Sequence, residues 1–155
     1  MAITQDGWFN DTMLKALSNT IALDLSNTTP GTYKGALFQS ALTPNFSATN
    51  PAYGTSPYDA NEASGPGYTA GGVNMTVTSF AELGSAANKI GWKFSDLLWT
   101  SATISAAGLL IYAPGLSSKA VLLRFLGQTY QAQDGDFEIQ FNTDGVWRDV
   151  LRSAA

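Results

Sequence analysis

The sequence predicts a mainly β fold: an antiparallel β-sandwich or partly open barrel with one short N-terminal helix and a long Pro/Gly/Tyr-rich loop. Three observations carry that expectation. Short apolar runs recur between turn signals through the C-terminal half, as in an antiparallel meander. Only residues 8–17 repeat apolar side chains convincingly at helical spacing. Between these regions, residues 43–72 hold Pro44, Pro51, Pro57, Pro66 and five glycines. With 155 residues the chain fits one domain, 1–155, able to bury a core without staples.

In residues 8–17, Trp8 and Phe9, Met13 and Leu14, then Leu17 share one face. Ser18 and Asn19, which favour caps and turns, end the helix. So short a helix needs a sheet to lie on. Residues 21–25 and 33–39 then alternate roughly as strands, separated by a polar turn closing on Pro30-Gly31.

The loop at 43–72 is too long for an idle connector. It spaces Phe46, Tyr53, Tyr58 and Tyr68 along a chain of turn formers, with one helical turn expected at 59–64. Two readings stay open: these aromatics contact a neighbour, or they fold back over the sheet edge as a lid. The loop ends in Gly-Pro-Gly-Tyr-Thr-Ala-Gly-Gly, residues 65–72. Such a run has to turn tightly or pass close to another backbone.

Strands are expected over 73–151. Residues 73–78 come first, then a small polar stretch at 83–88. Residues 89–94 alternate strictly, placing Ile90, Trp92 and Phe94 on one face. Residues 97–100 follow, and 104–112 read as the most buried strand, broken by Pro114-Gly115. Residues 120–126 form the next strand. Segments 130–133 and 137–141 flank Asp134-Gly135, a dipeptide favoured in two-residue hairpins, and Asp144-Gly145 introduces a last strand at 146–151.

Composition narrows function. Charged residues make up 13% of the chain against about 25% ordinarily, so the polar surface is mostly Ser, Thr, Asn, Gln and Gly. Such a surface costs little to desolvate and suits packing against copies or partners, although an all-β composition alone also accounts for it. Net charge is −4, and Lys34, Lys89, Lys93, Lys119 and Arg124 stand singly. Without a basic stripe, direct nucleic-acid binding is not expected. The N-terminus has no cationic start and no apolar core, and no apolar run approaches a bilayer-spanning length, so no membrane role is expected.

The chain has no His and no Cys, which removes imidazole, thiolate and disulfide chemistry. Asp134, Asp136 and Glu138 are the tightest acidic group; their spacing offers oxygens to a calcium ion, but two of them belong to the expected hairpin turn. Asp24, Asp96 and Asp149 lie at strand ends with no identifiable paired carboxylate. The glycine run at 65–72 lacks the Lys-Ser/Thr ending of a P-loop and no long helix follows it. Trp147 is the tryptophan least explained as core, which keeps a sugar platform as a minority reading. No cofactor is expected.

In order and spacing, several segments together resemble a family of small structural proteins of tailed-bacteriophage virions. They are the helix and first strand (9–25), Lys-Gly-Ala-Leu-Phe-Gln-Ser-Ala-Leu-Thr-Pro (34–44), Gly-Tyr-Thr-Ala-Gly-Gly (67–72), Leu-Trp-Thr-Ser-Ala-Thr-Ile-Ser-Ala-Ala-Gly-Leu-Leu-Ile-Tyr (98–112) and Phe-Glu-Ile-Gln-Phe (137–141). The likeness covers most of the chain; residues 45–63 are longer, and 146–152 more charged, than the pattern. It implies a non-enzymatic virion component, made in the bacterial cytoplasm, whose partners are the major capsid protein or other virion proteins. A minor capsid or decoration role fits a compact β-domain with a quiet surface, with homo-oligomerisation expected. A tail-tube subunit would need a long extended hairpin, which the sequence does not suggest; neck, tail and host-glycan recognition are the alternatives. The candidate contact residues are Trp8, Phe46, Tyr53, Tyr58 and Tyr68.

Overall fold

The computed structural model of the chain describes residues 3–83 and 89–150. The expected mainly β architecture is present: antiparallel sheets with one short N-terminal helix. In order, the elements are β1 (Gly7–Trp8), α1 (Asn10–Leu17), β2 (Tyr33–Phe38), β3 (Val73–Met75), β4 (Val77–Glu82), β5 (Lys89–Phe94), β6 (Leu97–Ala113), a 3₁₀ turn (Pro114–Leu116), β7 (Lys119–Ile139) and β8 (Trp147–Val150). A five-stranded sheet has the order β1-β7-β6-β2-β3; a three-stranded sheet has the order β4-β5-β8. The chain crosses between sheets at Thr76, which alone separates β3 from β4.

Where it holds β2, the end of β6 and the start of β7, the larger sheet is buried on both faces, which is why β2 and the end of β6 read as unbroken apolar runs. Tyr33, Leu37, Leu109 and Ile111 point toward the smaller sheet and meet Met75, Trp92, Phe94, Trp99 and Phe137. Ala36, Phe38, Leu110 and Tyr112 point the other way, under a cover of Ile3, Phe9, Leu42 and Tyr58. Each large apolar side chain so buried contributes about 1.5–3 kcal/mol of transfer free energy. The cover of this second core comes from Ile3 and Phe9 near the N-terminus, from Leu42, and from Tyr58 of the long loop, with Phe46 and Tyr53 packed against it. That loop is therefore part of the fold.

The glycine run behaves as its composition requires. A Cβ on Gly65 would sit 2.1 Å from the Thr103 carbonyl oxygen, one on Gly67 2.7 Å from the Ala102 Cα, and one on Gly72 1.8 Å from the Gly35 oxygen. The run lies along the edge of β6, where the Thr103 N–H donates to the Pro66 oxygen at 2.9 Å.

Several local expectations are corrected. Trp8 belongs to β1, paired opposite Leu122, so the helix starts only at Asn10. Residues 21–25 form no strand; side chains hold them instead, with Tyr33 Oη donating to the Asp24 oxygen at 2.7 Å and Trp92 Nε1 to the Leu25 oxygen at 2.9 Å. Residues 59–64 contain turns and no helix. Residues 84–88 of the expected polar stretch, and Leu151 of the expected last strand, lie outside the described residues.

The largest correction concerns Asp134-Gly135. No hairpin turns there: β7 runs through it, and β6 and β7 form one hairpin with strands of 17 and 21 residues. Ala102 faces Gly135 and Ile104 faces Ala132, so Asp134, at φ 48°, sits in a bulge. The positive φ that Asp-Gly supplies to a turn serves a bulge equally well. A second irregularity lies between the pairs Gly108–Phe125 and Ala106–Tyr130, around Gly127 at φ 93°.

Candidate contact surface

The long loop is fastened by one carboxylate. Glu62 Oε2 accepts the Tyr53 hydroxyl at 2.7 Å, while Oε1 accepts the Tyr68 hydroxyl and the Gly71 N–H, each at 2.7 Å. The Tyr68 oxygen in turn accepts the Leu37 N–H at 2.9 Å, and Tyr112 Oη donates to the Gly71 oxygen at 2.9 Å. Burial, and then the Glu62 carboxylate, push the Tyr53 and Tyr68 hydroxyls far above the usual phenol range.

This latch decides between the two readings of the loop aromatics. Tyr58 is 1% exposed, packs edge-on against Phe9 and Phe38, and accepts the Asn45 N–H at 3.0 Å. It has no surface to offer a partner, which corrects its place among the contact residues. Tyr53 stacks on Tyr112 at 4.6 Å, Tyr68 on Trp99 at 6.3 Å, and Phe46 tilts against Phe9 at 5.4 Å. These three are half-buried, so the lid reading describes them. Trp8, also half-buried, stacks on Trp92 at 5.2 Å and meets Trp147 edge-on at 5.0 Å.

The surface that sequence reasoning missed is on α1. The expected apolar face divides: Phe9 enters the second core and Trp8 stacks on Trp92, but Leu14 and Leu17 do not reach the sheet. Phe9, Thr12 and their tethers fix the helix instead: Thr12 Oγ1, fully buried, donates to the Ala120 oxygen at 2.6 Å. Asn10 N–H donates to the Phe46 oxygen at 3.0 Å, and Asp11 Oδ2 accepts the Asn50 N–H at 3.1 Å. Lys15 joins Asp11 at 2.9 Å and also reaches the Asn50 side chain. With its polar side bound to the loop, the helix turns Leu14 and Leu17 outward, 69% and 82% exposed. Leu17, Met13 and Ala16 form one wall of a cavity of about 590 Å³ whose other walls include Trp8, Leu23, Leu25, Phe80, Ile90 and Trp147. The Asp11–Lys15 pair is legible in the sequence as an i,i+4 ion pair, but only the orientation of the helix exposes the leucines.

The acidic group disperses. Asp136 Oδ1 accepts the Ser101 N–H at 3.3 Å, Glu138 Oε2 accepts Gln140 Nε2 at 3.1 Å, and the Asp134 main chain donates to Thr103 Oγ1 at 2.9 Å. Among the described residues no three His, Cys, Asp or Glu side chains gather as metal ligands. Asp24 caps the turn at Ser26 through its N–H at 3.0 Å and its hydroxyl at 2.6 Å. Among the described residues no helix is long and apolar enough to cross a membrane.

Comparison with protein-family models, with curated proteins and with solved structures gives no match to this chain.

Proposed function

We propose that this chain is a non-enzymatic structural component of a tailed-phage virion, a capsid decoration or minor capsid protein that reinforces joints between major capsid subunits. The observation that carries the reading is the outward apolar face of α1. Leu17 lines a cavity walled largely by tryptophans and aliphatics, and Leu14, one turn back on α1, is exposed as well, on a protein with few charges to desolvate. Contiguous exposed apolar surface of this kind marks contact sites. Binding works by burying that face against the shell, with the Glu62 latch holding the loop that positions the helix.

A neck or tail location is the second reading, and one observation favours it. The long β6–β7 hairpin is present, so its expected absence no longer argues for the shell over the tail. Its closing turn is tied down, however: Tyr53 N–H donates to the Ser118 oxygen at 2.9 Å and Ala120 N–H to the Pro51 oxygen at 2.9 Å. That end is not a free arm for ring stacking. Host-glycan recognition loses Tyr58, which is buried, while Trp147 is engaged with Trp8.

Electron microscopy of assembled particles carrying a labelled copy tests the proposal. Many copies over the shell support it; a few at the neck or tail favour the second reading. Failure of the purified chain to co-sediment with shells lacking it overturns the decoration role.

A further inference from the structure

The outer edge of β7 is open over most of its length. β1 pairs only with Leu122 and Leu123, and among the described residues no strand lies beyond 125–139 on that side. Exposed edges are usually guarded by charged side chains, by Pro or by bulges. Bulges and carboxylates guard the two ends of this edge, but residues 128–133 contain no charge and no Pro, and Gln128, Thr129, Tyr130 and Gln131 are exposed. The irregularities at Gly127 and Asp134 leave a run between them, 128–133, centred on Tyr130 and Gln131. Charge along the strand is ordered: Arg124 at one end, Asp134, Asp136 and Glu138 at the other, and no ionisable group but Tyr130 between.

We propose that this edge pairs antiparallel with the same edge of a second copy, about a two-fold axis near Tyr130–Gln131. The antiparallel sense brings each acidic end toward Arg124 of the other copy, so one complementary contact occurs twice, as a two-fold interface requires. A parallel arrangement sets acids beside acids. Arg124 already holds Asp6 at 2.5 Å, but its side chain is still 48% exposed, and a guanidinium has donors for a second carboxylate. Alongside the edge lies a cavity of about 540 Å³ lined by Leu126, Tyr130, Phe137 and Ile139 together with Gln131, Asp136, Glu138 and Gln140. It gives the ring of Tyr130, 46% exposed, a seat of mixed character across the axis, apolar for the ring and polar for the hydroxyl. This self-association stands or falls separately from shell binding, which uses α1.

The chain's lack of cysteine supplies the test. Gln131→Cys puts one thiol beside the axis and Ser18→Cys puts one at the end of α1. Sedimentation equilibrium of the unmodified chain gives a dimer, and mild oxidation cross-links the Gln131→Cys protein but not the Ser18→Cys protein. Arg124→Glu weakens the dimer at least about tenfold with the circular dichroism spectrum retained. Asp6→Asn, which removes only the internal ion pair, leaves the dimer intact. A monomer throughout the high-micromolar range, a dimer indifferent to Arg124→Glu, or equal cross-linking of the two cysteine proteins overturns the proposal.

Discussion

The Tyr68 hydroxyl stands between Glu62 and the main chain of β2, giving its proton to Oε1 at 2.7 Å and accepting the Leu37 N–H at 2.9 Å. One side chain of the loop thus bonds both the carboxylate that gathers the loop and the strand the loop covers. Hydrogen bonds to a charged group contribute about 1.5–3 kcal/mol each. Glu62→Gln leaves one acceptor oxygen where three donors converge, so we expect a loss of about 2 kcal/mol. Tyr68→Phe should lose about 1–2 kcal/mol by leaving Leu37 N–H unpaired. Urea unfolding checks both; an unchanged midpoint for Glu62→Gln would show that the loop is held by packing alone.

Alkaline pH should destabilise the fold through the same phenols. An unfolded tyrosine ionises near pH 10. Burial raises Tyr33, Tyr53, Tyr58, Tyr68 and Tyr112 in the folded chain, with Glu62 adding to Tyr53 and Tyr68. The folded state therefore keeps protons that the unfolded state releases, and stability present below about pH 10 is lost as pH rises above it. Denaturation midpoints between pH 8 and pH 11 measure this; Tyr68→Phe should flatten the decline. A midpoint constant to pH 11 would contradict the buried phenols.

How far the fold was legible depended on whether a residue's neighbours lay nearby in sequence. The alternation at Ile90, Trp92 and Phe94 defines β5 because a strand's pleat is a local period. The backbone contact of residues 65–72 was legible because only glycine tolerates it. Asp134-Gly135 was not, since a bulge and a hairpin ask for the same dihedral angles and only the long-range pairing to Ala102 distinguishes them. Nor was the face of α1: Thr12 is buried and Leu14 exposed because the Ala120 oxygen, far along the chain, takes the Thr12 hydroxyl. Of the contact candidates, Tyr58 was misread because an aromatic in a loop looks the same whether it faces a partner or its own core.

Two glycines with similar φ should respond differently to the same substitution. Gly72 (φ +69°) would place a Cβ 1.8 Å from the Gly35 oxygen, whereas Gly54 (φ +81°) has open space around it. Gly54→Ala carries only the left-handed backbone penalty, about 1–2 kcal/mol. Gly72→Ala adds a clash with β2 that backbone must move to relieve, and we expect it to lose more than about 3 kcal/mol or fail to accumulate. Thermal unfolding of the pair tests this; equal effects would mean that the run does not lie against β2.

Replacing the outward leucines should separate binding from folding. Leu14 and Leu17 are largely exposed, so Leu14→Ser with Leu17→Ser removes little buried area, and unfolding should shift by no more than about 0.5 kcal/mol per site. Shell binding, if it buries this face, loses the transfer free energy of two leucines, about 1.5–3 kcal/mol each, or at least about a hundredfold in affinity. Thr12→Val is the opposite case: it unpairs the buried Ala120 carbonyl and should cost about 1–3 kcal/mol of stability. At a temperature where that variant stays folded, it should bind shells normally. Co-sedimentation across these variants, beside urea unfolding, measures both effects. A serine pair that binds as tightly as the unmodified chain would move the contact surface away from α1.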